Sequence, residues 1–417
     1  MLLARIVADI RGGQMKILVI NSKRRYSYTC IILFALLLGA CTNMPGGEVS
    51  TSPNYAFEIV PADEAEQILD IAAKTAELQR MRQDFFSEDQ GGKILRGVHP
   101  KSHGCVVADF NVSPNIAAEL QVGLFAEPGS NYKALIRFSN ASVRLAPDLE
   151  KGEDGKLANG SRGMAVKVFD VGDNVLIGDV NRSNQDFLMI NTRAFAFPNV
   201  RSYQRLTDAL LSTPSGADPR SAFKPAEDWS AEDMANLRKT GGVLEQIRAK
   251  TVRNPIEVQY FGAAPSSFGD DRVMKFSAEP CGGEKPQEPF DALPGDNYLR
   301  DALLASIAIE QVCFDFKIQV LGVDQVREDR NGNTGENTDD LIEDATRVWG
   351  ENEFPFTKVA QIIIPVSSGS NDSVLQDCEA RAFNPWHSLT DHQPLGGINR
   401  LRKPVYVISE VTRRDKP

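Results

Sequence analysis

Short runs of apolar or alternating residues recur through the chain after residue 104, separated by Gly, Pro, Asn and Asp. Such runs are typical of antiparallel strands. Six of them stand out, with the sequences CVVADFNVS, KALIRFSNAS, GMAVKVFDV, DFLMINTRAF, FDFKIQVLG and VAQIIIPVS. Helical periodicity predicts helices between them, over 201–211, 231–250 and 298–309. Because strands and helices mix without a βαβ rhythm, the pattern predicts one large α+β domain with a barrel-like sheet.

An amphipathic helix is predicted ahead of these strands, over residues 61–90. Uncharged, mostly apolar side chains recur there at helical spacing between charged residues, among them Ile68, Ile71, Ala72, Thr75 and Leu78. We expect this helix to pack its apolar face against the domain.

Residues 1–41 have the features of an export signal. A basic stretch after Met15 precedes a short apolar run and the sequence Leu38-Gly39-Ala40-Cys41, which resembles the lipobox of bacterial lipoproteins. We expect an exported protein, anchored through a lipid on Cys41 to the periplasmic side of a bacterial envelope membrane. An uncleaved membrane anchor is the alternative. Residues 42–60, which include a Gly-, Pro-, Ser- and Thr-rich stretch, are predicted to form a flexible tether.

Charge and cysteine content narrow the function classes. A net charge of −10 argues against a nucleic-acid partner, which would need a basic patch or stripe. With Cys30 and Cys41 set aside, an oxidising compartment permits disulfides among the other cysteines. Those four are Cys105, Cys281, Cys313 and Cys378. They allow three pairings, and the sequence does not choose among them. It also leaves open whether the protein forms an oligomer.

The chain has only four histidines, and two of them lie in RGVHPKSHG, over 96–104. His387 and His392 are five residues apart, off the spacing that two metal ligands on one helix would need, so we expect surface or structural roles. His103 has no partner in any motif and is interpreted as incidental. His99 differs because of the motifs that follow it.

Six motifs follow one another in the same order as in a known protein family. Arg96, Val98, His99 and Lys101 match its R-x-V-H-x-K motif. IRFS at 136–139 and RGMAVKV at 162–168 match its V-R-F-S and R-G-F-A-V-K-F strands. The family's later strands are matched by the region from FDFKIQV to FPFTKVAQIIIP. Its F-[DN]-P run is matched by FNPWHSL, and its R-x-x-x-Y motif by RKPVY. Over residues 91–417 the chain resembles the haem catalase family, in its short single-domain branch.

The resemblance implies an α+β fold with a catalase-like antiparallel β-barrel core surrounded by helices, and haem b as the iron cofactor. Tyr406 would be the proximal iron ligand, with Arg402 one turn earlier supplying the positive charge that holds the phenol ionised. His99 would be the distal acid–base group, with Ser139 bonded to its other ring nitrogen.

The remaining predicted site residues bind or surround the cofactor. Arg96, Arg137 and Arg413 match the arginines that hold the haem propionates, which suits the bidentate grip of guanidinium on carboxylates. Val98 would line the channel above the iron. Asn184 is the predicted distal asparagine, with Ser183 as the alternative in a different register.

Two departures from the family bear on substrate choice. Leu188 and Met189 replace the two phenylalanines that line the family's channel, which favours a less rigid, wider passage. The chain ends soon after Tyr406, so we expect the family's helical C-terminal part to be missing and the haem to be more accessible.

These features predict a haem-dependent peroxidase or catalase-like oxidoreductase that acts on hydrogen peroxide or organic hydroperoxides in the cell envelope. The alternatives are rearrangement of fatty-acid hydroperoxides and a non-enzymatic haem-binding lipoprotein.

Overall fold

The computed structural model describes residues 6–11, 14–19, 57–84, 95–143, 145–151, 155–177, 183–213, 224–225, 227–332, 340–366 and 372–414. The chain forms two compact units, 1–51 and 52–417. In the first, strands β1 (Ile6–Arg11) and β2 (Gln14–Val19) pair antiparallel. The predicted lipobox at Cys41, and the tether up to residue 56, lie outside the described residues. Within the described ranges, no helix combines the length and apolar character that a bilayer crossing needs.

The second unit is built around a closed antiparallel barrel of eight strands. Around the barrel the order is β11-β12-β13-β3-β4-β7-β8-β9, and pairing of β9 with β11 closes it. The strands are β3 (Ser102–Val112), β4 (Asn131–Asn140), β7 (Arg162–Phe169), β8 (Asn184–Ile190), β9 (Tyr260–Phe261), β11 (Arg272–Pro280), β12 (Val312–Gly322) and β13 (Thr357–Ile364). Outside it, β5 (Glu150–Lys151) pairs with β6 (Leu157–Ala158), and β10 (Ser266–Ser267) pairs with β11.

Seven helices in the described residues accompany the barrel. They are α1 (Glu64–Asp84), α2 (Val200–Ser212), α3 (Ala231–Ala249), α4 (Tyr298–Ile307), α5 (Val323–Gly332), α6 (Asp372–Ala380) and α7 (Gly397–Arg414). The predicted α+β fold, with a barrel surrounded by helices, is confirmed. The six predicted strands correspond to β3, β4, β7, β8, β12 and β13, and the four predicted helices to α1, α2, α3 and α4.

The barrel interior is filled with apolar and aromatic side chains. On β4, Ile136 and Phe138 are fully buried in this core. Phe187 packs 4.6 Å from Phe316 between ring centroids, and Phe110 5.2 Å from Phe316. Each such side chain contributes roughly 1.5–3 kcal/mol through burial. Because side chains alternate across a strand, filling the interior leaves the intervening positions, such as Arg137 and Ser139, on the outer face.

Two disulfides select one of the three possible cysteine pairings. Cys105 on β3 bonds Cys378 on α6, with their Cα atoms 6.3 Å apart. Cys281 bonds Cys313, with a Cα separation of 5.5 Å. Asp315 lies close to the second pair, but the sulfurs there are already bonded to each other.

Candidate active site

A cavity of about 220 Å³ lies between the outer face of the barrel and helices α1, α2 and α7. Its barrel wall comes from alternate outward-facing positions of neighbouring strands, including Ser139 on β4 and Gly163 and Ala165 on β7. Its helical wall includes Tyr406 on α7 and Tyr203 on α2. The cavity therefore joins residues that lie far apart in the sequence.

His99 stands on the barrel wall of this cavity in a fixed orientation. Its Nδ1 lies 2.9 Å from the Ser139 hydroxyl oxygen. Its backbone has φ = 60°, a left-handed conformation that non-glycine residues rarely adopt. The His99 N–H donates to the Ser142 carbonyl (2.8 Å), and its own carbonyl accepts from Arg137 Nη2 (3.0 Å). Strained conformations held by surrounding bonds are concentrated at functional sites.

The environment of His99 keeps its imidazole neutral. Burial, followed by the positive charges of Arg137, Arg402 and Arg96, lowers its pKa from 6.5 to about 3. A neutral ring can accept a proton. Among the described residues, only Nδ1 has a hydrogen-bond partner, so Nε2 is the nitrogen available for that proton.

Gly163 leaves the space that the imidazole occupies. Ser139 and Gly163 are directly paired across β4 and β7, so both face the ring. A Cβ at position 163 would lie 2.5 Å from His99 Nδ1 and 2.9 Å from the Ser139 hydroxyl. The glycine of the RGMAVKV strand is therefore required by close approach of a side chain, a role that the sequence interpretation missed.

We expect Gly163→Ala to displace the His99 ring and, if the cavity carries out the peroxide reaction that the sequence predicts, to lower turnover at least about tenfold, since a misplaced proton-transfer group loses its catalytic advantage. The fold should persist at a cost of roughly 1–3 kcal/mol, as for other overpacked sites. Gly160→Ala is the matched control, because its Cβ would come no closer than 3.6 Å to a neighbouring atom. Equal turnover per folded molecule in the two variants would contradict the assigned role.

Tyr406 and Arg402 form the facing wall on α7. Arg402 Nη2 donates to the Tyr406 hydroxyl at 3.1 Å, and its guanidinium carbon lies 5.2 Å from the Tyr406 ring centroid. Arg402 Nη1 also donates to the Asn399 side-chain oxygen at 3.1 Å. The four-residue spacing puts Arg402 and Tyr406 one helical turn apart, and they make the contact that the sequence predicts. Tyr203 is a second phenol on this side, and burial raises its pKa to about 12.

Three arginines gather at one edge of the cavity. Arg137 donates to the Glu379 carboxylate at 2.7 Å, and Arg96 Nε lies 3.4 Å from the same carboxylate. Arg413 donates to the backbone carbonyls of Glu379 and Arg381. The predicted anion-binding arginines are thus brought together, with an acidic partner that the sequence did not reveal.

Apolar side chains complete the lining. Val98, 39% exposed, lines the cavity beside His99. Leu188 and Met189 border it from β8, at the predicted channel positions. Helix α1 adds Ile71 and Leu78, so this helix forms part of the site besides packing against α2 and α7.

Asn184 lies outside the cavity. Gly163, next to His99, pairs with Ile190, whereas Asn184 pairs with Phe169 at the other end of the same two strands. Six residues of strand separate these positions, or roughly 20 Å. The Asn184 side chain is fully buried, and neither its oxygen nor its nitrogen has a hydrogen-bond partner within the described part of the chain. Ser183 does not line the cavity either.

The other three histidines are buried. His103 bonds the Asn140 side chain at 3.0 Å, directly behind Ser139. Arg162 donates to the same Asn140 oxygen. Lys101 Nζ lies 2.8 Å from a carboxylate oxygen of the buried Asp148, and this ion pair supports the segment that carries His99. His387 bonds Asp186 at 3.0 Å, and His392 accepts from the Leu124 N–H at 3.1 Å. The structural alternative predicted for His387 and His392 is confirmed, and His103 has a structural role as well.

These buried imidazoles should make the protein less stable in mild acid. Burial lowers the pKa of His392 from 6.5 to about 4. As pH falls below 6.5, the unfolded chain takes up a proton that the folded chain does not, so stability is complete above pH 6.5 and declines toward pH 4. At pH 5 His392 alone should cost about 2 kcal/mol. Urea unfolding at pH 7 and pH 5 measures this, and an unchanged free energy of unfolding would contradict it.

Solved structures show what the fold is similar to. A fungal catalase matches with a TM-score of 0.60 and 15% identity, over 98% of this chain and 70% of that one. Catalase A from Saccharomyces cerevisiae matches at 0.56 and 15%, over 79% and 63% of the two chains. A bacterial catalase matches at 0.53 and 15%, over 91% and 67%. The chain thus spans about two thirds of the length of these catalases.

The sequence matches no protein-family model, and no curated protein matches it. At 15% identity the structural similarity identifies the architecture and not the activity. The closed eight-stranded barrel, the surrounding helices and these three matches together identify the chain as a protein with a catalase-like α+β fold.

Proposed function

We propose that this protein is a haem-dependent, catalase-like peroxidase that reduces hydrogen peroxide or organic hydroperoxides. One observation carries the proposal: a neutral His99 bonded to Ser139 and a Tyr406 phenol bonded to Arg402 line the same cavity from opposite walls. A lone histidine or tyrosine would more often be a packing residue, but here each has a polar partner and both line one cavity.

The residues present fit haem b. The cofactor is a flat apolar ring with two carboxylates on one edge, and the cavity combines apolar walls with three arginines at one edge. Guanidinium groups suit carboxylates because they donate in a planar fork. Tyr406 offers the oxygen that would bind iron, as phenolate does in catalases. Arg402 places a positive charge 3.1 Å from that oxygen.

His99 moves the proton in the proposed reaction. When bound, the haem would supply the iron that binds peroxide and the two electrons that cleave the O–O bond, and an organic reductant or a second molecule of hydrogen peroxide would return those electrons. Ser139 holds Nδ1, so Nε2 of the neutral ring takes the proton from one peroxide oxygen and returns it to the departing oxygen. Val98 and Leu188 contribute apolar side chains to the lining of the same cavity.

The apolar lining favours organic hydroperoxides as substrates alongside hydrogen peroxide. Ile71, Leu78 and Leu210 line the helical side, and Leu188 and Met189 line the barrel side. An alkyl chain would be stabilised there by burial. The same observation supports a second candidate, rearrangement of a fatty-acid hydroperoxide, which requires no external reductant.

We place this activity in the cell envelope, with the chain anchored through Cys41. The export signal and lipobox-like sequence support this location. Two disulfides suit an oxidising compartment.

The reaction type can be tested with purified, haemin-loaded protein. Peroxidase action should oxidise a dye with consumption of peroxide and little oxygen release, whereas dismutation would release oxygen from hydrogen peroxide alone. Conversion of a fatty-acid hydroperoxide without added reductant would favour the rearrangement. Haem binding without consumption of any peroxide would overturn the enzymatic proposal.

A further inference from the structure

Glu379 is the common partner of the three arginines at the cavity edge. Its Oε1 accepts from Arg137 Nε at 2.7 Å, and its Oε2 lies 3.4 Å from Arg96 Nε. Its backbone carbonyl accepts from Arg413. Burial raises the pKa of Glu379, but Arg137, Arg96 and Arg413 outweigh burial and keep it below the ordinary value. The carboxylate is therefore ionised at neutral pH.

Charge balance indicates that Glu379 belongs to the completed site. Positive charge is in excess in this cluster, because three arginines share the carboxylate of Glu379. The two carboxylates of a haem would reduce this excess. Without Glu379, three guanidinium groups would face two carboxylates, and their mutual repulsion would be less well compensated.

A disulfide fixes the position of Glu379. Cys378, the preceding residue, is bonded to Cys105. Cys105 is the residue on β3 that pairs directly with Arg137 on β4. The covalent bond thus holds the end of α6 against the strand position beside the arginine that Glu379 contacts. Arg96 also donates to the backbone carbonyl of Cys378 at 3.1 Å.

Arg137 connects this assembly to the proton-transfer group. Its Nε contacts Glu379, and its Nη2 donates to the carbonyl of His99 at 3.0 Å. The His99 backbone is in the left-handed region, where such a bond helps to hold it. With both donors engaged, the guanidinium of Arg137, which is 3% exposed, has a defined orientation.

We propose that Glu379, held by the Cys105–Cys378 disulfide, is a positioning residue: it orients Arg137 and Arg96 toward the cofactor carboxylates and, through Arg137, fixes the backbone of His99. The first part rests on the proposed function, because it takes haem to be the ligand. The second part concerns the protein alone.

The first test is haemin affinity, measured by absorption titration. Glu379→Gln should weaken binding about tenfold or more, as loss of a charge-assisted bond implies, and Glu379→Asp should restore part of it. Joint replacement of Cys105 and Cys378 by Ala should weaken binding as well. When Glu379→Gln is added to that variant, the total loss of affinity should be smaller than the product of the two separate losses. Replacing Cys281 and Cys313 by Ala is the matched control, with unchanged affinity. Unchanged or tighter binding in Glu379→Gln would overturn the proposal.

The second test uses haem-free protein, so it separates this proposal from the proposed function. Backbone hydrogen exchange over 97–101 should be faster in Glu379→Gln and in the Cys105/Cys378 variant than in wild type or in the Cys281/Cys313 control. If wild type bound no haemin, the proposed function would fail, and the exchange measurement would still decide whether Glu379 positions His99. Equal exchange in all four proteins would overturn that role.

Discussion

His99→Gln should lower peroxide turnover by about 10²- to 10⁴-fold, the range that a positioned proton-transfer group contributes. Glutamine keeps a polar side chain of similar size that can still bond Ser139, but it cannot exchange a proton. Haemin binding should stay within a few-fold of wild type, because the arginines and Tyr406 are unchanged. Steady-state kinetics on haemin-loaded protein measures the effect.

The pH profile of the wild type gives an independent check of this role. Burial and three nearby arginines hold the pKa of His99 at about 3, so the ring is neutral and able to accept a proton throughout pH 5 to 8. The rate should therefore show no acid limb near pH 6.5.

His103→Gln is the matched control for His99→Gln: His103 is four residues away but bonded to Asn140, outside the cavity. Turnover in His99→Gln equal to that of this control would remove His99 from the chemistry.

Tyr406→Phe should abolish tight haemin binding and the absorption of an iron-bound phenolate. The substitution keeps an aromatic ring beneath the Arg402 guanidinium but removes the oxygen that Arg402 contacts at 3.1 Å. Loss of a partner that only orients a ligand already weakens metal binding by 10- to 100-fold, so loss of the ligand itself should cost at least about 100-fold. Absorption titration with haemin measures both effects.

Tyr203→Phe is the control for this substitution. Tyr203 is a second buried phenol lining the same cavity, and its pKa is raised to about 12, which disfavours the charged form. We expect this variant to bind haemin with a wild-type spectrum. The opposite pattern, with binding lost in Tyr203→Phe and kept in Tyr406→Phe, would exchange the roles of the two tyrosines.

Most of the barrel could be predicted because the pattern of apolar positions within each strand indicates a strand. Apolar positions that alternate or run together mark β3, β4, β7, β8, β12 and β13 in the sequence. Strand β11, RVMKFSAEP, was not predicted. It contains Lys275, which is buried beside Trp349 and donates to the Arg347 carbonyl at 2.7 Å. Lys275 and Ser277 both interrupt its apolar run, and both are buried with partners from other segments, which the local sequence does not show.

The candidate site also combines residues that the sequence predicts with residues that it does not. His99, Ser139, Arg402 and Tyr406 lie in the matched motifs, and the fold brings all four to one cavity. Gly163 could have been found from its motif, since a glycine inside a strand marks a close approach. Glu379 could not, because it lies 242 residues from Arg137 and meets it only through the fold. Asn184 was placed by residue type, whereas strand register decides which end of β8 reaches His99.

Haem binding is the claim on which the proposed function rests, and a haemin titration of the wild-type protein, followed by absorption spectroscopy, tests it most directly. We expect saturation at one haemin per chain, a spectrum with a phenolate-to-iron band that Tyr406→Phe lacks, and a change in that spectrum when hydrogen peroxide is added. Non-saturable uptake with the broad spectrum of free haemin, identical in wild type and Tyr406→Phe, would contradict the proposal that this cavity is a haem site.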